Sequence, residues 1–408
     1  MKVLLVHNHY KQPGGEDQVF ASEARLLEQH GHRVLRHSAH NDAVDGQHQL
    51  TLAAKTVWNS ESYRALRRLI RKERPEVMHV HNTMPLLSPA VYFAAKDEGV
   101  PVIQTLHNYR LLCPGAFFFR DGAVCERCLH KAVAWPGVVH ACYRDSKAAS
   151  GVVAAMLAAH RLAHTWTDKV DYYIALTEFA RQKFIEGGLA ARKIVVKPNF
   201  LDDDPGIGRG QGGYVLFVGR LSHEKGLETL LEAWKMLSPR IPLKIVGDGP
   251  MASYVAKAVE ALEGVEWLGL QPRDRVLAMM KEAALLIIPS MWYEGCPLTI
   301  IEAYAVGAPV IASRLGSMSS MIKSRRTGLF FNPGDPEDLA RQVEWVLMNA
   351  EILAFMRRSA RMEFETQYSA ARNYEMLMAI YKRAIEPDRT GSVVHIPAAE
   401  VEDAPVGA

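Results

Sequence analysis

The sequence lacks any apolar run long enough to cross a membrane as a helix. The longest candidate, residues 152–159, stops at His160, whereas a spanning helix needs about 18 or more apolar residues. The N-terminal apolar stretch from Val3 to Val6 is also too short to be a secretory signal. We therefore expect a cytosolic protein.

An excess of charge of one sign is absent too. The 48 basic and 45 acidic residues leave a formal net charge of +3, which is too small to indicate nucleic acid as a partner. Apolar residues make up 49% and charged residues 23% of the chain, as in soluble globular proteins. A chain of 408 residues is too long for one ordinary hydrophobic core, and we expect two domains.

Cysteine is scarce and unevenly placed. Four of the five cysteines lie between residues 113 and 142, where Cys125 and Cys128 form a Cys-x2-Cys pair. In a reducing compartment such a cluster favours zinc over disulfides. A structural zinc site on Cys113, Cys125, Cys128 and Cys142 is the leading interpretation, with free thiols and then disulfides as alternatives. Four thiolates leave no open position on a metal, which argues against catalytic zinc.

The stretch around which the chain is organised follows a short apolar run, residues 284–288, that predicts a buried parallel strand. A helix is predicted from Leu298 to Val306, after Pro297. Ligands bind where such a strand's carboxyl end meets the next helix. Glu294 lies in the loop where that strand meets the helix, and Glu302 lies about two turns down the helix. Anions are favoured there by the backbone amides of Cys296, Leu298 and Thr299.

Two carboxylates beside an anion site suit a ligand that has a pyrophosphate centre and a sugar at each end. Each carboxylate would then accept hydrogen bonds from hydroxyl groups. The alternative is that Glu294 and Glu302 are ordinary surface or first-turn glutamates.

A second loop, from Gly219 to Gly226, also joins a predicted strand to a helix. Arg220 and Lys225 lie in it and form a candidate phosphate clamp, because arginine binds phosphate bidentately and lysine as a point charge. Near the N-terminus, Gly14 and Gly15 follow the first strand and would let the backbone approach a ligand. This loop is not a G-x-G-x-x-G fingerprint, and a plain strand–helix turn is the alternative.

Histidines end two predicted strands. His107 ends the strand from Val100 and is a candidate general acid or base, or a sugar-hydroxyl contact, with a packed histidine as the alternative. His79 and His81 alternate onto one face, which suggests a metal site or, as the favoured alternative, satisfied side chains lining a cleft. A basic amphipathic helix over residues 63–74 predicts either a solvated surface or contact with an anionic membrane.

We predict an α/β protein of two domains. Residues 1–200 form the first, with a cysteine-rich lobe at 113–142, and residues 201–213 are a linker. Residues 214–368 form the second domain. A terminal helix over 369–386 is expected to cross back to the first domain, and the predicted disordered tail covers 387–408. A long helix is predicted from Lys147 to Asp168.

The motifs that carry a family resemblance are spread over nearly the whole chain. They are the Gly219 to Gly226 loop followed by Glu294 and Glu302 in E-x7-E spacing, Lys197-Pro198-Asn199, Val246-Gly247-Asp248-Gly249-Pro250 and residues 13–16. Together they resemble glycosyltransferase family 4, the retaining nucleotide-sugar enzymes with the GT-B fold. That fold has two Rossmann-like domains facing across a cleft. The His107-Asn108-Tyr109-Arg110 segment and the cysteine lobe resemble a subset active on bacterial surface polysaccharides.

The resemblance implies a metal-independent transfer, with retention, from a nucleoside-diphosphate sugar to a glycan or lipid-linked acceptor. This would occur in the cytoplasm, including the cytoplasmic face of the membrane. The catalytic residues it implies are Glu294, His107, Arg220 and Lys225. The donor-binding residues it implies are Gly14, Gly15, Asn199, Arg220, Lys225, Gly247, Leu270, Glu294, Leu298, Thr299 and Glu302.

Within that set, the resemblance assigns the diphosphate to Arg220 and Lys225, and the ribose hydroxyls to Glu302. It assigns the donor sugar to Glu294, and Leu270 lies in the loop expected to meet the base. Pro297 stands where many relatives have glycine, so one backbone donor is lost there. The alternatives are a nucleotide-sugar epimerase of the same fold and a non-catalytic nucleotide-sugar binding protein.

Overall fold

The first domain is built on a six-stranded parallel sheet in a computed structural model that describes residues 1–12 and 14–386. The strands follow the order β2-β1-β3-β4-β7-β8, and every pair in the sheet is parallel. A small antiparallel hairpin, β5-β6, lies in the cysteine lobe. The strands are β1 Lys2–His9, β2 Arg33–His40, β3 Val77–Val80, β4 Val102–Leu106, β5 Phe119–Arg120, β6 Ala123–Val124, β7 Tyr172–Ala175 and β8 Ile194–Val196.

Helices cover both faces of this sheet, so its central strands are buried and apolar, as parallel strands require. The helices are α1 Gly15–Gln29, α2 Gln49–Val57, α3 Ser60–Glu73, α4 Ala90–Asp97, α5 Trp135–Val139, α6 Lys147–Leu162, α7 Thr165–Asp168 and α8 Glu178–Glu186, with 3-10 turns at Asn41–Val44 and Ala191–Lys193.

The second domain has its own six-stranded parallel sheet, in the order β11-β10-β9-β12-β13-β14. Its strands are β9 Val215–Val218, β10 Leu243–Val246, β11 Val265–Trp267, β12 Leu285–Ile288, β13 Val310–Ser313 and β14 Gly328–Phe331. Its helices are α9 Leu227–Leu237, α10 Ala252–Glu260, α11 Arg273–Glu282, α12 Leu298–Ala305, α13 Met318–Met321, α14 Pro336–Met348 and α15 Ala350–Glu363, with a 3-10 turn at His223–Lys225. The predicted two-domain α/β fold is confirmed.

The strand order of the second sheet reverses between β9 and β12, which lie side by side. The loops after these two strands therefore open at the same edge, where α/β proteins bind ligands. Gly226 lets the two loops pack closely. It has a φ of 70°, and a Cβ atom there would overlap the carbonyl oxygen of Pro289. The sequence thus brings the two predicted phosphate and carboxylate loops together.

The chain returns to the first domain through a π-helical turn, Phe364–Tyr368, and the last helix, α16 Ala370–Ile385. Leu377, Ile380 and Tyr381 of α16 share a buried cluster with Val3 and Leu5 of β1. Residue 201, after β8, bridges to residue 369. The two crossings between the domains therefore run side by side. The predicted tail, 387–408, lies outside the described residues.

One predicted helix differs from the observed one. The helix predicted from Lys147 to Asp168 breaks after α6, because His164 adopts a left-handed φ of 53°. This turn lets Trp166 enter the core and brings the Thr165 hydroxyl 2.9 Å from the Nδ1 atom of His160. The first helix begins at Gly15, since the Asp17 carboxylate accepts a hydrogen bond from the Gly14 amide at 2.9 Å.

The basic helix α3 packs its apolar stripe against the protein. Leu66 and Ile70 are buried, and Arg67 and Arg71 pair with Glu98 at 2.6 and 2.9 Å. Its apolar face is therefore not free to enter a bilayer. In the described part of the chain, no helix combines the length and the apolarity needed to span a membrane.

Candidate functional site

The loop between β12 and α12 holds Glu294 in a buried position. The Glu294 side chain is 7% exposed, and its Oε1 atom accepts hydrogen bonds from Ser290 Oγ and Lys225 Nζ, both at 2.7 Å. The Lys225 ammonium group also lies 5.4 Å from the ring centre of Trp292. The predicted clamp lysine is thus paired with the predicted sugar-binding carboxylate, across the two loops at the strand reversal.

Arg220 lies at the end of β9 and is exposed. Its loop lies at the same edge of the sheet as the start of α12. The first turn of α12 has no side-chain cap. The amides of Leu298 and Thr299 are therefore donors of the kind that bind anions at a helix N-terminus. As the sequence predicts, the N-cap position is Pro297, which contributes no amide.

Glu302 lies one turn further along α12 and is largely buried. Burial raises the pKa of its carboxyl group, while Arg273 opposes that shift. The Arg273 Nε atom lies 3.4 Å from Glu302 Oε1. Sequence reasoning missed Arg273, although it comes directly after the loop assigned to the base. Leu270 in that loop is 79% exposed.

Gly247 has a packing role. Its φ is 139°, and a Cβ atom at this position would overlap the carbonyl oxygen of Gly219. The Gly247 amide also donates to the Gly269 carbonyl at 2.9 Å. A side chain here would separate the loops that follow β9, β10 and β11. Gly247 therefore shapes the site through backbone contact.

The first domain meets this site at two backbone positions. A Cβ atom on Gly15 would lie 3.7 Å from Leu298 Cδ1, so the loop before α1 touches the start of α12. Gly295 lies against the carbonyl group of His107, because a Cβ atom there would lie 2.8 Å from that oxygen. A Cβ atom on Gly14 would meet nothing within 4 Å. Gly15 and His107 of the first domain thus lie against the loop and helix start that hold Glu294 and Leu298.

His107 has a neutral ring in this environment. Burial, and then the neighbouring His81, lower its pKa well below the usual value. Its Nε2 atom lies 2.9 Å from His81 Nδ1, and burial lowers the pKa of His81 to about 3. A neutral imidazole accepts or donates a hydrogen bond, whereas an imidazolium general acid is disfavoured here.

Two sequence models of protein families match consecutive parts of the chain. The model described as Glycosyltransferase Family 4 matches residues 13–205, and the one described as Glycosyl transferases group 1 matches residues 206–363. The boundary between them falls in the linker that joins the two sheets. The chain belongs to glycosyltransferase family 4.

Individual relatives are distant. An uncharacterized glycosyltransferase of Methanocaldococcus jannaschii is 30% identical over 42% of this chain and 45% of its own length. The amylovoran biosynthesis glycosyltransferase AmsK of Erwinia amylovora is 26% identical over 41% and 44%. The chain spans about half the length of the curated relatives it matches.

The fold is shared with Anabaena HepE, whose crystal structure was solved in complex with UDP. The TM-score is 0.65 at 17% identity, and the match covers 93% of this chain and 99% of HepE. Such low identity shows the fold alone. The two-sheet GT-B architecture of this family 4 chain is confirmed by that match.

One carboxyl group of the family 4 cleft was missed by sequence reasoning. Glu16 follows Gly15, and its Oε2 atom accepts hydrogen bonds from Tyr10 at 3.1 Å and Asn108 at 3.3 Å. Burial raises the pKa of Glu16 to about 8. Its position directly after the glycine pair was the signal that could have found it.

His79 and His81 belong to a buried ionic cluster. Glu23 Oε1 lies 2.8 Å from His79 Nδ1 and 3.3 Å from His81 Nε2, and Glu23 Oε2 lies 3.1 Å from Lys197 Nζ. These atoms are close enough to hold a metal, but the lysine already neutralises the carboxylate. Although burial raises the pKa of Glu23, Lys197 and His79 hold it well below its usual value. Both ring nitrogens of His79 have hydrogen-bond partners, but His81 Nε2 is buried without one among the described residues. The interpretation of satisfied histidines therefore fits His79 alone.

The Lys197-Pro198-Asn199 motif connects the domain crossing to the donor loop. Lys197 Nζ donates to Asn373 Oδ1 of α16 at 3.0 Å, and Asn199 Nδ2 donates to the Cys296 carbonyl at 3.0 Å. Asn199 therefore holds the Cys296 backbone of the donor loop, and its predicted donor-binding role stays a prediction. Its Oδ1 atom is buried and has no partner among the described residues.

Proposed function

We propose that this family 4 chain transfers a sugar, with retention, from a nucleoside-diphosphate sugar to a glycan or lipid-linked acceptor. The observation that carries the proposal is the Lys225–Glu294 pair at 2.7 Å. A cation beside the uncapped start of α12 suits a diphosphate, and a buried carboxylate beside it suits sugar hydroxyls.

The chain's own cations supply the charge that the leaving group needs. Arg220 and Lys225 bind the diphosphate and stabilise its developing negative charge, so the transfer requires no metal ion. Glu294 then accepts hydrogen bonds from the donor sugar, and Glu302 from the ribose. UDP is the first nucleotide to test, because HepE was solved with it.

In the reaction, the bond between the anomeric carbon and the diphosphate oxygen breaks, and that oxygen keeps the electron pair. The acceptor hydroxyl oxygen bonds to the same face of the sugar, and its proton passes to a diphosphate oxygen. His107 contacts the reacting sugar as a neutral hydrogen-bonding group.

We propose that the acceptor binds on the first domain's side of the cleft. A cavity next to His107 is lined by polar Asn82, Thr83 and Asn108 and by apolar Met84 and Leu111. Such a mixed lining suits a saccharide. A role in cell-surface polysaccharide synthesis is consistent with the amylovoran relative. Contact with the cytoplasmic face of an anionic membrane would be electrostatic, through the exposed Arg64, Arg68 and Lys72 of α3.

Calorimetric titration with UDP, GDP, ADP and CDP, with no metal ion added, tests the donor site. Tight binding of one nucleotide is expected. Failure of all four to bind would overturn the proposal. Incubation with the matching nucleotide sugar and no acceptor tests the epimerase alternative, since an epimerase would convert the sugar without transfer. Any turnover excludes a purely binding protein.

A further inference from the structure

The four lobe cysteines line one small cavity. Cys113, Cys125, Cys128 and Cys142 all line it, and all are free thiols. They come from four different points of the lobe: the turn after β4, the strand end of the hairpin, the turn after it, and the segment after α5. Four separated thiols around one cavity provide the donor set of a tetrathiolate zinc site.

The backbone of the lobe is unusually strained. Eleven non-glycine residues of the described chain have positive φ, and seven of them lie between 116 and 145. These seven are Ala116, Phe118, Asp121, His130, Ala141, Arg144 and Asp145. Each such conformation persists only where the surroundings enforce it. The lobe has few buried apolar side chains of its own to do so, since Phe117, Val133, Trp135 and Val139 are exposed. Small segments of this kind are commonly held by a metal or by disulfides.

We infer that the lobe binds one zinc ion through the sulfur atoms of Cys113, Cys125, Cys128 and Cys142. On binding, four thiols release four protons to solvent, and the closed tetrahedral set leaves no position for substrate. The net charge of −2 on the tetrathiolate is met by Arg120 and Arg127, which line the same cavity.

The lobe must contract to hold the ion. No three of these sulfur atoms, within residues 1–12 and 14–386, lie within 4.8 Å of one another. Zinc–sulfur bonds of about 2.3 Å would draw them closer together. Zinc binding therefore tightens the lobe.

The lobe touches the donor loop directly. Glu126, between the knuckle cysteines, pairs with Lys183 at 2.9 Å, and Lys183 lies 6.0 Å from the ring centre of Tyr293. Phe117 packs edge-on against Trp292, with ring centres 4.9 Å apart. Trp292 and Tyr293 immediately precede Glu294. Zinc in the lobe therefore supports the donor loop, a consequence that rests on the proposed function.

Zinc content of the full chain, purified without added metal, tests the site by elemental mass spectrometry. We expect one zinc per chain, lost in Cys128→Ser and retained in Cys296→Ser, whose buried thiol lies outside the lobe. Wild-type protein that carries no zinc and takes up none when dialysed against zinc would overturn the site. So would an intact mass lower by two hydrogens per cysteine pair, which means disulfides. The zinc content and the intact mass of the wild-type protein test the site even if Cys128→Ser fails to fold.

Calorimetry with UDP separates the consequence from the site. Protein stripped of zinc by a chelator is expected to bind UDP about tenfold more weakly, the effect of losing roughly one aromatic contact, and readded zinc restores the affinity. Unchanged affinity in zinc-free protein would overturn the support of the donor loop. Absence of UDP binding in the zinc-loaded protein would instead count against the proposed donor site, while leaving the zinc result intact.

Discussion

Lys225 donates a hydrogen bond to the buried carboxylate of Glu294 at 2.7 Å, although 69 residues separate them in the chain. The pair joins the loops after β9 and β12, which are neighbours because the strand order reverses there. Each residue thus orients the other before a ligand arrives. A diphosphate entering the cleft then shares the lysine with Glu294.

Replacing Lys225 with alanine is expected to weaken nucleotide binding. A charge-assisted contact to phosphate is worth about 1.5–3 kcal/mol, which corresponds to about a 10- to 100-fold rise in Kd. Calorimetry with the preferred nucleotide measures this change. The matched control is Lys235→Ala, whose side chain is 58% exposed on α9 and pairs with Glu232. Wild-type affinity in Lys225→Ala would remove the clamp assignment.

Glu302→Gln is expected to reduce discrimination for ribose hydroxyls. The wild type should bind UDP more tightly than 2′,3′-dideoxy-UDP, because a carboxylate accepts two hydroxyl hydrogen bonds. The variant should narrow this ratio by about tenfold, since hydrogen bonds to a charged group contribute about 1.5–3 kcal/mol. Competitive titration with both nucleotides measures the ratio. If the ratio of the two affinities is the same in Glu302→Gln as in the wild type, Glu302 does not contact the ribose.

Gly226→Ala and Gly213→Ala form a matched pair with the same φ of 70°. Both substitutions carry the left-handed strain of about 1–2 kcal/mol. Only Gly226 adds an overlap with the Pro289 carbonyl, whereas a Cβ atom at Gly213 meets nothing within 4 Å. Urea unfolding should therefore show a clearly larger loss of stability for Gly226→Ala. Equal losses would mean that the β9 and β12 loops are not packed as described.

Much of this architecture could be predicted from local patterns. The apolar run of β12 and the proline at the start of α12 lie in single windows of sequence, and strand–loop–helix units fix where their loops open. Glu294 and Glu302 were assigned to this edge of the sheet for that reason. Arg220 and Lys225 were assigned to the same edge because their loop follows the first strand of the second domain.

Pairings between distant segments could not be predicted in this way. The Arg273–Glu302 and Glu23–Lys197 pairs depend on how far long side chains reach across packed elements. The break at His164 depends on the burial of Trp166 in the core, which no local pattern encodes. Glu16 was named only within the motif at residues 13–16 and received no role, because its raised pKa comes from burial by the rest of the cleft.

The buried Glu23–Lys197 pair provides a stability test of the ionic cluster in the first domain. Lys197→Met should destabilise the protein by about 3–5 kcal/mol, because it leaves a buried carboxylate without its partner. The double variant Lys197→Met/Glu23→Gln should recover part of that loss. Urea unfolding of the single and double variants measures the coupling. Additive losses in the double variant would show that the two side chains do not act as a pair.

Glu16 makes stability depend on pH in a defined direction. Its pKa rises from about 4.5 unfolded to about 8 folded, so the folded protein binds the proton more tightly than the unfolded chain does. The stabilisation is complete below pH 4.5 and is lost as the pH rises through 8. Glu16→Gln, which stays neutral, should therefore gain stability relative to the wild type between pH 5 and 9. Thermal unfolding across that range, with the exposed Glu337→Gln as control, measures the difference, and parallel curves for wild type and Glu16→Gln would contradict a carboxyl group held protonated in the cleft.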